Sequence, residues 1–183
     1  AYGMAYGNHY FYSDASNTAH SPQAQLTMTK NMVIHRQGYV TKPQTPAFFA
    51  THTGATSPVT GTLTYNTSGT GYYNNGTHLS TSTGKFTAPV AGIYHFHFHG
   101  FIQSNAASSH FECNFIRHNA AANNNTTMAR QYGDNDWTGN DYGPSFSMQL
   151  TCEMAVNDKM YVVHNGCGLH GSNGYYFGGH LIG

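Results

Sequence analysis

The stretch GIYHFHFHGF, residues 92–101, sets Tyr94, Phe96 and Phe98 in strict alternation with His95, His97 and His99. A period of two belongs to a β-strand, whose successive side chains point to opposite faces. One face of this strand is aromatic and the other is imidazole. The aromatic face predicts a core. The histidines must share what lies opposite, which is water or a neighbouring subunit.

The same period recurs on both sides. It predicts strands at 27–34, 47–51, 61–66, 84–87, 92–103, 110–118, 145–154, 159–164 and 175–182. The turn-rich stretches SGTGYYNNGTH (68–78), NAAANNNTT (119–127) and NGCGLHGSNG (165–174) separate several of them. No segment sustains a period of 3.6. Many short strands with such punctuation predict an all-β antiparallel sandwich or barrel. A composition change in TKPQTPAFF (41–49) divides the chain into 1–42 and 43–183. The first part holds one convincing strand, LTMTKNMVI (26–34), and at most two. With so little apolar material it requires a partner to be ordered, or else stays a loose leader.

Composition excludes several functions. Of 183 residues only 8% are charged, seven Lys and Arg against seven Asp and Glu. No basic patch exists for nucleic acid to release counterions against. The 13 histidines are the groups whose titration changes the charge near neutral pH. No apolar run is long enough to span a membrane, and AYGMAYGNHYFYSD (1–14) lacks the charged and apolar regions of a signal peptide. Cys113 and Cys152 sit in strand-like runs and read as core thiols; with Cys167 the count is odd, which argues against a disulfide-built domain. There is no G-x-S-x-G elbow, H-E-x-x-H pair or phosphate-cradling loop, although a Ser/His/Asp or Cys/His set could still assemble in space.

The middle and end of the chain resemble the globular head of complement C1q, which shares its jelly roll with tumour necrosis factor. Asn74, Leu79, Phe86, Gly92, Tyr94, Phe96 and Phe98 stand at the family's spacings. FGGHLIG (177–183) resembles its last strand through Phe177, Gly179 and Leu181, and MAVNDKMYV (154–162) resembles the turn and strand before it. One departure is Ser68, where the family's signature opens on an aromatic residue, so the loop before Asn74 is expected to be remodelled. The resemblance covers about 43–183 and implies a non-enzymatic, ten-stranded jelly roll that forms a homotrimer.

A second resemblance concerns the junction MVIHRQGYVTKPQTPAFFA (32–50). Through Gly38, Val40, Thr41, Pro43 and Pro46 it is similar to seams in marine bacteriophage fibre and appendage proteins, where a shaft leads into a head of this class. No Gly-X-Y repeat of the collagen-like stalk usual in animal relatives is present. The resemblance implies a virion protein, joined to other virion proteins through its N-terminal segment.

Four groups are candidate sites. His95, His97 and His99, gathered from three chains near a threefold axis, would suit a transition metal; the same row also reads as hydrogen-bonded interface filler. Asp134, Asp136 and Asp141 in GDNDWTGND (133–141) suggest a calcium loop, although Ser145 stands where an EF-hand requires Glu. Trp137 in that loop reads as a sugar-stacking platform or as an anchor to the sandwich, and Tyr72 with Tyr73 make a second contact patch. No cofactor is required. Asn66, Asn75, Asn124 and Asn125 lie in N-x-Ser/Thr sequons, which matter only in a secreted eukaryotic chain.

The resulting expectation is a fibre tip, knob or capsid-mounted appendage that contacts a host-surface glycan or protein. A secreted animal lectin of innate immunity and a purely architectural cementing protein are the alternatives.

Overall fold

The computed structural model describes residues 2–5, 7–14, 28–53, 61–66, 71–103, 110–134, 142–166, 168–170 and 174–183. The chain divides into two compact units, Ala1–Thr45 and Pro46–Gly183.

The first unit is one antiparallel sheet in the order β1 (Tyr2–Ala5), β2 (Asn8–Asp14), β3 (Met28–Ile34), β4 (Val40–Thr41). This is richer than the one or two strands expected. Strand β2 carries aromatic residues on both faces and β1 is only four residues long, so no polar alternation betrays them. Val33 is the one buried hydrophobic of this sheet among the described residues, whereas Tyr2, Met4, Phe11, Tyr39 and Val40 are exposed.

The second unit is an all-β sandwich without helices among the described residues. Its strands are β5 (Ala47–His52), β6 (Gly61–Thr62), β7 (Tyr73–Asn75), β8 (Leu79–Ser80), β9 (Lys85–Thr87), β10 (Gly92–Gln103), β11 (His110–Asn119), β12 (Asn124–Asp134), β13 (Tyr142–Met154), β14 (Lys159–Asn165), β15 (Gly168–Leu169) and β16 (Tyr175–Leu181). One sheet runs β13-β10-β16-β5-β7, with β15 beside β10; the other runs β12-β11-β14-β9-β8, with β6 beside β14. All pairings are antiparallel. Two five-strand paths with non-consecutive neighbours make the ten strands of a jelly roll.

The stretch expected as a strand at 61–66 pairs in the sheet only at Gly61–Thr62, with an isolated bridge from Asn66 to Thr51. Strand β12 was not legible as a strand, because its opening Asn-Asn-Thr-Thr is exposed on both faces of an edge.

Tyr94, Phe96 and Phe98 of β10 are fully buried and meet Phe48, Phe86 and Phe177 between the sheets. Ring centroids lie 4.9 Å apart for Phe48 and Phe86 and 4.8 Å for Phe48 and Phe177. Gly179 opens the space for this cluster. A Cβ there would stand 2.5 Å from Phe96 Cδ1 and 2.9 Å from Phe48 Cε1.

The turn from β13 to β14 is fixed at Asn157 and Asp158. Asn157 takes a positive φ of 69°, a conformation Asn tolerates better than most residues. Asp158, fully buried, accepts hydrogen bonds from the backbone N–H groups of Ala120 and Ala155 and from the Arg117 guanidinium. Burial pushes its carboxyl up, but those donors outweigh burial and hold it below the usual carboxylate range. Cys113 is buried and Cys152 half-buried.

Candidate functional site

Because Tyr94, Phe96 and Phe98 of β10 face the core, the sheet presents His95, His97 and His99 outward, between Ile93 and Phe101. Register places His95 between Thr151 of β13 and His180 of β16, and His97 between Gln149 and Gly178. It sets His99 between Ser147 and Tyr176. Beyond β16 lies Phe49 of β5, opposite Gly178, and beyond that Tyr73 of β7.

The missing side chain at Gly178 shapes this face. A Cβ there would lie 2.4 Å from His97 Cε1, so the imidazole rests on the bare backbone of β16. From His97 the rings continue in both directions. Its centroid is 6.2 Å from Phe49, 6.0 Å from Tyr176 and 6.4 Å from His95, and His95 is 5.6 Å from His180. Tyr176 stacks on His99 at 5.0 Å, and His99 meets Phe101 at 4.7 Å. The result is one continuous aromatic and imidazole surface. Its charged member among the described residues of these strands is Glu153, opposite Ile93 at the rim.

Burial lowers the affinity of His97 for a proton, and the neighbouring His95 and His180 lower it further. Burial alone lowers that of His99. His95 shares a 3.0 Å hydrogen bond between its Nδ1 and the Thr151 hydroxyl. No group of three His, Cys, Asp or Glu side chains able to hold a metal ion occurs among the described residues. A metal on this face would therefore need imidazoles from another copy of the chain. Sequence reasoning did not assign His180, Tyr176 and Phe49 to this surface. The signal was the period of two in β16, read only for its core side.

Residues 47–182 match the sequence profile of the C1q domain, and that match decides the affiliation. The chain belongs to the C1q domain family. Among solved structures it is similar to the globular domain of zebrafish complement 1qA protein, at 16% identity and a TM-score of 0.53, covering 76% of this chain and 98% of that one. It is also similar to the tumour necrosis factor Eiger from S. frugiperda, at 12% identity and a TM-score of 0.58, covering 76% and 94%. No curated protein sequence matches. C1q and tumour necrosis factor-like domains commonly self-associate as trimers, bind ligands and are generally not enzymes.

The signature residues Phe86, Tyr94, Phe96, Phe98 and Phe177 of this C1q domain are core, and Gly92 and Gly179 give way to neighbouring side chains. Tyr72 and Tyr73 part company. Tyr72 packs against the core, while Tyr73 is half exposed and stacks toward Phe49 at 6.3 Å, joining the imidazole face. Asp134 ends β12, exposed. Asp136, Trp137 and Asp141 lie outside the described residues, as do Ser68 and Cys167. The Asn66 side chain is engaged with Thr53, its amide donating at 2.9 Å and its oxygen accepting at 3.1 Å, so that sequon does not present a free amide.

Proposed function

We propose that this chain is a non-enzymatic structural and adhesive protein of a phage virion, a trimeric head that binds host-surface glycan or protein. The observation that carries the reading is the outward aromatic and imidazole face of the β13-β10-β16-β5-β7 sheet. Ile93, Phe101 and Tyr73 are exposed there around half-buried rings, and a contiguous apolar patch of this kind marks an association surface. Copies meeting through it exclude water from rings and imidazoles without having to desolvate ion pairs. Three heads on one mount, and several mounts per particle, make weak contacts lasting.

The N-terminal sheet supports a mounting role. Among the described residues this four-stranded sheet buries one hydrophobic, Val33, a small core that favours support from a partner. The charge-poor, Asn- and Thr-rich composition and the junction at 32–50 favour a virion over a secreted lectin.

Native mass spectrometry of the 20.0 kDa chain tests the assembly, with a trimer expected. Flow cytometry of labelled protein on a panel of marine bacterial isolates tests the adhesion. A monomer at micromolar concentration, or no adherence to any isolate, would overturn the respective half.

A further inference from the structure

On the opposite sheet, β11 and β12 carry a polar cluster that neither the family signature nor the sequence reading singled out. Register sets Glu112 across from Tyr132 and Asn114 across from Arg130, all four on the outward face. Asn114 is only 4% exposed, although it points away from the core. Its amide donates to Glu112 Oε1 at 2.9 Å, and its oxygen accepts from Arg130 Nε at 2.9 Å. Arg130 Nε also lies 3.1 Å from Glu112 Oε1, and Nη1 donates to the Tyr132 hydroxyl at 2.8 Å. The guanidinium carbon sits 5.4 Å from the Tyr132 ring centroid, and Tyr132 remains 57% exposed.

Stability alone accounts poorly for this construction. An exposed ion pair contributes little to a fold, because holding two long side chains in one geometry costs conformational entropy. Here a buried amide fixes both partners and leaves their far ends accessible, with 46% of the Arg130 side chain and 21% of the Glu112 side chain exposed. Among the described residues the second Glu112 oxygen and the Arg130 Nη2 edge have no hydrogen-bond partner. The cluster thus offers a fixed acceptor, a fixed donor edge and an exposed phenol ring side by side. A sugar ring uses these three groups, placing its C–H face on the aromatic ring and its hydroxyls between carboxylate and guanidinium. The carboxylate beside Arg130 cancels the positive charge that an acidic sugar or a phosphate would require.

We propose that Glu112, Asn114, Arg130 and Tyr132 form a binding platform for a neutral pyranose on the outer face of the β12-β11-β14-β9-β8 sheet. This deepens the adhesive reading and rests on it for the source of the sugar, a glycan of the host surface.

The test is a glycan microarray, probed with the full chain, carrying glucose-, galactose- and mannose-terminated glycans beside uronic-acid and sialylated ones. Binding to one or more neutral glycans is expected, with Tyr132→Ala losing about tenfold in affinity. Glu112→Gln, which keeps the shape and loses the charged acceptor, is expected to lose about fivefold. Melting temperatures of both variants should stay near wild type, which separates lost recognition from lost folding. Preference for acidic glycans, no binding to any neutral glycan, or variants that bind like wild type would overturn the site. Wild type and Tyr132→Ala are also compared on the bacterial isolates. Equal adherence of both sinks the platform and leaves the adhesive reading standing. Loss confined to the array, with no adherence of wild type to cells, sinks the adhesive reading and leaves the platform.

Discussion

Replacing Asp158 by Asn probes the one fully buried carboxylate among the described residues. Asp158 Oδ2 accepts from Arg117 Nε at 2.9 Å, from Arg117 Nη2 at 2.6 Å and from Ala155 N–H at 3.0 Å, and Oδ1 accepts from Ala120 N–H at 2.9 Å. An asparagine keeps at best one of the two oxygens. With its oxygen toward Arg117 it keeps three bonds and turns an NH2 group against the Ala120 N–H, while Arg117 loses its counter-charge. Removing one partner of a buried pair costs about 3–5 kcal/mol. Arg117 is 24% exposed and recovers some hydration, which points to the low end, about 3 kcal/mol. For a domain of this size that is a fall of roughly 6–12 °C in melting temperature.

The effect has a pH signature. The folded carboxyl lies below its unfolded value, so its contribution is fully present above the unfolded value of about 3.9. It fades as pH falls through the lower folded value. Calorimetry of wild type and variant from neutral pH down to about pH 2 should therefore show two melting curves that converge in acid. A variant that melts within about 2 °C of wild type at neutral pH would refute the reasoning. So would a gap that persists unchanged to the acid limit.

Three further outcomes are expected. His97 and His99 favour their neutral forms when folded, so stability rises with pH through the window below about 6.5 and is lost as pH falls through it. The groups facing His97 are His95, His180 and Tyr176, with Glu153 at the rim, so protonation gathers like charge with one carboxylate to offset it. Native mass spectrometry between neutral pH and about pH 5 should find the assembly loosening, and an unchanged trimer would count against an imidazole interface. Gly179→Ala drives a Cβ to 2.5 Å from Phe96 Cδ1 and should cost about 1–3 kcal/mol, read as a lower melting temperature. Gly178→Ala, one residue earlier, displaces only the His97 ring and should leave monomer stability nearly untouched while weakening self-association by ultracentrifugation.

How far the sequence could be read follows from where period two was clean. Strand β10 was legible because every second residue is a large aromatic, and the Gly-x-Tyr-x-Phe-x-Phe spacing then led to the family and the sandwich. Strand β12 was hidden, since an edge strand with Asn and Thr outward and inward has no contrast between faces. The same loss of contrast, with aromatics in place of Asn and Thr, hid β2, while β1 is only four residues long. The histidine row was visible, but not its completion by His180, Tyr176 and Phe49. Those residues come from strands adjacent in the sheet and distant in sequence. Asn114 was invisible for a related reason, because an outward position gives no sign of being covered by an arginine from the next strand. The pairing of Arg117 with Asp158, 41 residues apart, is likewise a product of the turn and not of any motif.

The near absence of Lys, Arg, Asp and Glu from the imidazole face has a consequence for the medium in which the protein works. Mobile ions weaken contacts by screening fixed charges, over a length that shrinks to about 3 Å in molar salt. A face built from Phe49, Tyr73, Ile93, Phe101 and neutral imidazoles gives those ions little to screen. Its hydrophobic part holds or tightens as salt rises. An assembly joined through this face is expected to hold in brine as well as in dilute buffer, and to answer to proton activity more than to salinity.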